Sequence, residues 1–239
     1  MVQPRVSGTL KERAFISAMP QHALFNVYDL LFARYGPQHW WPADGPFEVI
    51  AGAILTQSAA WANVEKAINN LKLADALTPA ALRDMAPGKL AQLLYPCGYY
   101  NAKAKKLKSF ADHLKINHGD SLNHLFDQPV DILRKELLSI HGVGDETADS
   151  IILYAAGNPV FVIDTYTRRI FKRLGFNKAG SRYEDFQAWF MDILPPDMRL
   201  FNEYHALLVR HGKEVCKKTP LCRDCCIGVL CRYRGSSLT

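Results

Sequence analysis

The sequence predicts an all-α fold, and three observations carry that prediction. Apolar residues recur at helical spacing along most of the chain, as at Leu24, Phe25, Val27, Leu30, Leu31 and Phe32. No run of alternating apolar and polar residues marks a strand, and no repeat or low-complexity tract intervenes. An apolar helix end (Leu137, Leu138, Ile140) breaks at Gly142-Val143-Gly144, and a second helical pattern starts at once, as in an αα-hairpin.

The elements follow in order. Residues 1–20 read as a lead-in, and residues 22–35 as an amphipathic helix ended by Gly36-Pro37. The loop His39-Trp40-Trp41-Pro42-Ala43-Asp44-Gly45-Pro46 holds two of the four tryptophans. Residues 47–55 (FEVIAGAIL) are too apolar for an exposed helix and predict a core helix ending at Thr56-Gln57-Ser58. Helices are expected at 61–71, 79–85 and 88–94, and a long basic one at 102–115 after Gly98-Tyr99-Tyr100. Short helices at 121–126 and 130–138 lead into the hairpin, and 183–193 and 198–212 are helical beyond it.

A hydrophobic content of 49% against 22% charged residues gives ample core for one large or two small domains. The net charge of +6 and the pI of about 9.0 favour a polyanionic partner. No apolar run approaches the length of a membrane span, and the N-terminus lacks the apolar stretch of a secretory signal. A cytoplasmic protein is expected, at the nucleoid of a prokaryote or in the nucleus or an organelle of a eukaryote.

The chemistry concentrates between Leu137 and Arg173. A helix starting at the glycine turn aims its free N–H groups, and its positive dipole end, at whatever lies against the hairpin; a DNA phosphate suits it. Next come Gly157-Asn158-Pro159, the apolar run Val160 to Ile163, a single carboxylate Asp164, and a basic helix with Arg168, Arg169, Lys172 and Arg173. Asp164 stands where an N-cap is favoured, and backbone N–H bonds there keep a carboxylate ionised. The basic residues Lys103, Lys105, Lys106, Arg168, Arg169 and Lys172 are candidate phosphate contacts.

This array resembles the helix-hairpin-helix plus Gly/Pro-Asp signature of the endonuclease III superfamily of DNA glycosylases. The resemblance spans roughly residues 22–231. It implies two helical lobes flanking a DNA-binding cleft: a six-helix domain at 42–160, and a second domain joining 21–41 to 161–239. It implies that Asp164 is the catalytic aspartate and that Gly142, Val143, Gly144 and Arg168 bind DNA. Ile54-Leu55-Thr56-Gln57 resembles the segment whose glutamine fills the gap left by an extruded base. Gly98-Tyr99-Tyr100-Asn101-Ala102-Lys103-Ala104 resembles the loop whose second residue wedges into the opposite strand, with Lys103 beside it. Hairpin carbonyls of the family often hold a monovalent cation, which would offset the acids Asp145 and Glu146.

Five of the six cysteines lie in Cys216-KKTPL-Cys222-RD-Cys225-Cys226-IGVL-Cys231. Four thiolates also suit zinc. The segment from His205 to Lys213 and the spacing resemble the four-cysteine iron–sulfur loop that closes endonuclease III, and imply a [4Fe–4S] cluster. The usual intervals are six, two and five residues. Here they are five, two and five through Cys225, or five, three and four through Cys226. The expected ligands are Cys216, Cys222, Cys225 and Cys231, with Cys226 packed behind and Cys97 in the core.

Family members that cut the strand carry a lysine two residues after the second hairpin glycine, where this chain has Glu146. A carboxylate forms no Schiff base, so a monofunctional glycosylase is expected. Trp40-Trp41-Pro42 and Gly45-Pro46-Phe47-Glu48 look like the 3-methyladenine glycosylases of the endonuclease III type. That likeness implies a base pocket of Trp40, Trp41, Pro42, Phe47 and Glu146, suited to an electron-poor alkylated base. The expected partner is double-stranded DNA carrying a damaged base, bound by a monomer. The alternatives are a mismatch glycosylase for thymine or uracil opposite guanine, and a silent DNA-binding module of the same fold.

Overall fold

The computed structural model describes residues 20–176 and 182–237, so most of the expected lead-in lies outside the described residues. Every regular element among them is helical. The chain divides into two compact units. One, the central unit, is continuous from Trp41 to Val160; the other, the terminal unit, joins the chain up to Trp40 with Phe161 onward. No described helix is long and apolar enough to cross a membrane.

The chain enters the terminal unit with α1 (Pro20–Tyr35) and passes to the central unit. There α2 (Pro46–Leu55) starts with proline at its first position, where the missing N–H costs nothing. All of Val49 to Leu55 is buried, as the apolar run predicts. Then come α3 (Trp61–Leu73), α4 (Pro79–Asp84), α5 (Pro87–Leu93), α6 (Tyr100–His118), α7 (Leu122–Phe126) and α8 (Val130–Ser139). Ile50, Ile54, Leu71, Leu107, Phe110, Leu137 and Ile152 share this unit's core. After the hairpin, α9 (Asp145–Ser150) continues as a wider π-type turn over Ile151–Ala155, where Ala156 N reaches back to Ile151 O. Such a widening re-aims side chains and is common at functional sites.

The terminal unit resumes with a non-helical run, Phe161 to Ile163, held by Gln187 Nε2 donating to Phe161 O at 2.8 Å. It continues through α10 (Thr165–Leu174), α11 (Tyr183–Ile193), α12 (Met198–Glu214) and α13 (Arg232–Ser237). Its core is aromatic: Phe161 stacks on Phe190 at 4.1 Å, and Tyr204 lies edge-on to Phe161 at 5.8 Å. The Tyr204 hydroxyl donates to Leu24 O at 2.8 Å, fastening α12 to α1. The short α13 has no apolar face and gives no sequence signal.

Candidate active site

In the central unit the hairpin is a one-residue turn in the left-handed region. Gly142 has φ +89°, and a Cβ there would stand 2.3 Å from Lys106 Cγ, so only glycine fits. Gly144, by contrast, is extended (φ −106°), with open space where a Cβ would go. Val143 is buried and anchors the turn. The carbonyls of Ile140, Gly142 and Gly144 accept from Val143 N, Gln57 Nε2 and Ala148 N respectively.

Gln57, at the end of α2, is drawn onto the hairpin. Its Nε2 donates to Gly142 O and to Thr147 Oγ1, each at 2.9 Å, and its Oε1 accepts from Lys106 Nζ. The two segments singled out in the sequence, 85 residues apart, thus meet through one amide.

The acids at the start of α9 are partly neutralised. Arg134, on α8, donates from Nη2 to Asp145 Oδ1 at 2.8 Å and from Nε to the buried Asp149 at 2.8 Å. Glu146 is exposed.

Tyr99 stands 75% exposed on left-handed backbone (φ +46°), thrust out by the Gly98 turn. Lys103 departs from its expected place on the DNA-facing surface. It is 2% exposed, and Nζ donates to Cys97 O at 2.7 Å; burial holds its pKa below the usual lysine value. The lysine braces the turn that carries Tyr99 and has no exposed ammonium for a phosphate. Lys108 likewise turns inward, capping carbonyls at the end of α4, among them Met85 O at 2.7 Å. Lys105 remains exposed.

A recess of about 260 Å³ opens in the central unit, lined by Trp41, Pro42, Glu48, Gly52, Trp61, Glu65, Ile68 and Asn69. Trp41 and Trp61 meet edge to face at 5.2 Å. Gly52 lets the Trp41 indole lie on α2, since a Cβ there would be 3.0 Å from the ring. Glu65 accepts from Trp61 Nε1 at 2.7 Å; Glu48 accepts from Asp44 N at 3.0 Å and pairs with Lys72 at 2.8 Å. Of the expected pocket residues only Trp41 and Pro42 line this recess. Phe47 packs against Phe110 in the core at 6.4 Å, Trp40 belongs to the terminal unit, and Glu146 lies at the hairpin. The sequence reading missed Trp61 and Glu65, whose i, i+4 spacing on α3 is a signal for such a pair.

In the terminal unit Asp164 caps α10: Oδ1 accepts from Thr167 N at 2.7 Å, and the residue is 6% exposed. Its other oxygen faces His205 Nε2 at 3.8 Å. Burial lowers the pKa of His205 against the opposing pull of Asp164, leaving a neutral ring at pH 7. Arg168 lies over Phe186 at 5.7 Å and Tyr183 at 6.0 Å. Arg169 donates to Cys216 O and Gly212 O, and Arg173 to Lys217 O and Lys218 O, so both hold the cysteine segment. Lys172 is exposed.

All six cysteines are free thiols, and Cys97 is 3% exposed in the core. Burial pushes the Cys225 thiol up to about 12 and also raises Cys226 and Cys231. Thiolates at these positions therefore require a compensating cation. Tyr35, raised to about 12 chiefly by burial, keeps its proton and shares a hydrogen bond with His211 Nδ1 at 2.9 Å. The ring's other nitrogen, Nε2, lies 3.5 Å from Cys225 Sγ.

The chain belongs to the HhH-GPD superfamily of base excision DNA repair proteins, whose family model matches residues 51–196. It is thus a DNA repair glycosylase of the endonuclease III type. A Methanocaldococcus jannaschii protein whose name assigns it as a DNA repair glycosylase is 45% identical over 87% of this chain and 95% of its own. Endonuclease III of Sulfolobus acidocaldarius is 32% identical over 78% of this chain and 82% of its own. Among solved structures, H. pylori 3-methyladenine DNA glycosylase bound to 1,N6-ethenoadenine superposes with a TM-score of 0.67. That structure is 28% identical and covers 81% of this chain and 95% of its own.

Proposed function

We propose that this glycosylase is monofunctional and removes a cationic, alkylated purine of the 3-methyladenine class from duplex DNA. The observation that carries the reading is the recess walled by Trp41 and Trp61 and edged by Glu48 and Glu65. Indole faces attract a flat cation, and carboxylates at the rim add to that preference over a neutral base. Extrusion of the base leaves a gap; Gln57 fills it and Tyr99 enters the opposite strand. Asp164 stabilises the positive charge that develops on the sugar as the glycosidic bond breaks, and orients the attacking water. In the central unit phosphates meet the hairpin N–H groups and Lys105; in the terminal unit they meet Arg168 and Lys172.

With Glu146 in the place of an amine, the reaction stops at the abasic site. An alkylated base is a good leaving group, so this weaker catalysis suffices. The cysteine segment suits a [4Fe–4S] cluster by its donor set. The cluster serves as a structural staple for a basic loop, and the nearness of His211 Nε2 to Cys225 Sγ supports Cys225 as its third ligand.

The test is a panel of duplexes carrying 3-methyladenine, 7-methylguanine, ethenoadenine, uracil, T·G and oxidised pyrimidines. Fast release of methylated purines is expected. Release of thymine or uracil alone would replace the reading by that of a mismatch enzyme, and no release from any duplex by that of a silent module.

A further inference from the structure

The strongest ligand-like constellation away from the machinery described above lies in the central unit, where α6 ends beside α8. His113 and His118, five residues apart on α6, both turn Nε2 toward one oxygen of Glu136 on α8. The distances to Oε1 are 2.7 Å from His113 and 2.5 Å from His118. The three ligand atoms lie within 4.8 Å of one another. Small side-chain shifts would bring all three onto a single centre with bonds of about 2.0–2.2 Å.

Two features mark this as a built cage. The carboxylate is oriented from behind: Gln128 Nε2 donates to Glu136 Oε2 at 2.8 Å and to Leu125 O at 2.8 Å. That is the kind of outer support that aims a metal-binding carboxylate. The side chains of His113, His118 and Glu136 are 20%, 13% and 18% exposed, shielded yet reachable from solvent.

We propose that His113, His118 and Glu136 bind a divalent zinc-class ion, with water completing the coordination. Two imidazoles and one carboxylate prefer Zn²⁺ to Mg²⁺, which favours oxygen ligands and retains its waters. The ion ties the last turn of α6 to α8, closing the loop through α7 and Gln128. Because α8 runs into the hairpin, the clamp steadies the element that presents Gly142 and Val143. This site is independent of the lesion the protein removes.

A hydrogen-bonded trio without metal would show the same distances, so the test must separate the two. His118→Gln retains a side-chain donor for Glu136 but lacks an imidazole. Glu136→Gln removes the anionic ligand. Zinc content after equilibration with Zn²⁺ and desalting, and the melting temperature with Zn²⁺ or Mg²⁺ added, are measured on the full chain. The cysteines are unchanged in every variant, so their metal cancels in the difference. The wild type is expected to hold one more zinc than either variant and to melt several degrees higher with Zn²⁺ but not with Mg²⁺. Cobalt in the same site should absorb in the visible without thiolate charge-transfer bands. Equal zinc content and equal melting response in wild type and His118→Gln would overturn the proposal, whether or not Glu136→Gln folds.

Discussion

His205 Nε2 stands 3.8 Å from Asp164 Oδ2, with the two side chains 8% and 7% exposed. The separation is too long for a hydrogen bond. A neutral imidazole there leaves the charge of Asp164 uncancelled, while Thr167 N holds the other carboxylate oxygen. The pair is arranged to keep one anionic oxygen unspent in a dry setting.

Replacing Asp164 by Asn should lower base release by about 10²–10⁴-fold, the range typical of one positioned acid–base group. Lesion binding should persist, because shape is retained and only charge is lost. Asn can still cap α10, so unfolding free energy should change by no more than about 1 kcal/mol. Single-turnover release and denaturant unfolding measure the two; full activity in the variant would remove Asp164 from the mechanism.

The buried His205 makes stability depend on pH. Its folded pKa lies below the unfolded value of about 6.5, so the unfolded chain takes up the proton first. Stability is therefore greatest above the unfolded value and falls as pH drops through it toward the folded pKa. Melting temperatures at pH 7.5 and 5.5 should differ less in His205→Asn than in the wild type. An identical difference would show that folding leaves the pKa of His205 unshifted.

Borohydride should trap no covalent adduct with lesion-containing DNA, because Glu146 stands where an amine would be needed. Glu146→Lys should restore some trapping if its backbone directs the new amine at C1′. Adduct formation by the wild type, through Lys106 beside the hairpin or any other lysine, would overturn the monofunctional reading.

Purified protein should be brown and contain iron and labile sulfide. Cys225→Ser should lose the colour, whereas Cys226→Ser should keep it, since the His211 ring faces Cys225. The reverse pattern would assign the third ligand to Cys226, and colourless protein with stoichiometric zinc would reject the cluster.

Breaking the Arg134–Asp149 pair should destabilise the central unit by about 3–5 kcal/mol in Arg134→Ala, because a fully buried carboxylate loses its guanidinium. The double variant Arg134→Met, Asp149→Leu should recover most of that loss. Denaturant midpoints decide; a surface-like change below about 1 kcal/mol would mean that water replaces the guanidinium.

Helical periodicity made the all-α architecture legible, and the capping position of Asp164 was legible because it follows a turn and an apolar run and precedes a basic helix. What escaped depends on contacts between distant residues. Lys103 reads as a surface cation until the Cys97 carbonyl is seen above its ammonium. Trp40 and Trp41 are adjacent in sequence, yet Trp41 takes Trp61 as its wall partner in the recess. Arg134, an unremarkable residue on α8, pairs with Asp145, whose charge the sequence reading offset only by a cation at the hairpin. The π-type widening at Ile151–Ala155 has no compositional mark, since all five residues suit an ordinary helix as well.

The union of α1 with α12 in the terminal unit also dictates an order of events during synthesis. Leu24, Val27 and Leu31 are fully buried, and the Tyr204 hydroxyl that fastens α1 arrives roughly 180 residues after Leu24. A nascent α1 must wait on the ribosome with its apolar face uncovered while the whole central unit emerges and can fold. At about 5–20 residues per second that wait lasts on the order of ten seconds or more. Moving α1 by circular permutation to follow α13 would abolish the wait, and should raise soluble yield in cells short of chaperones.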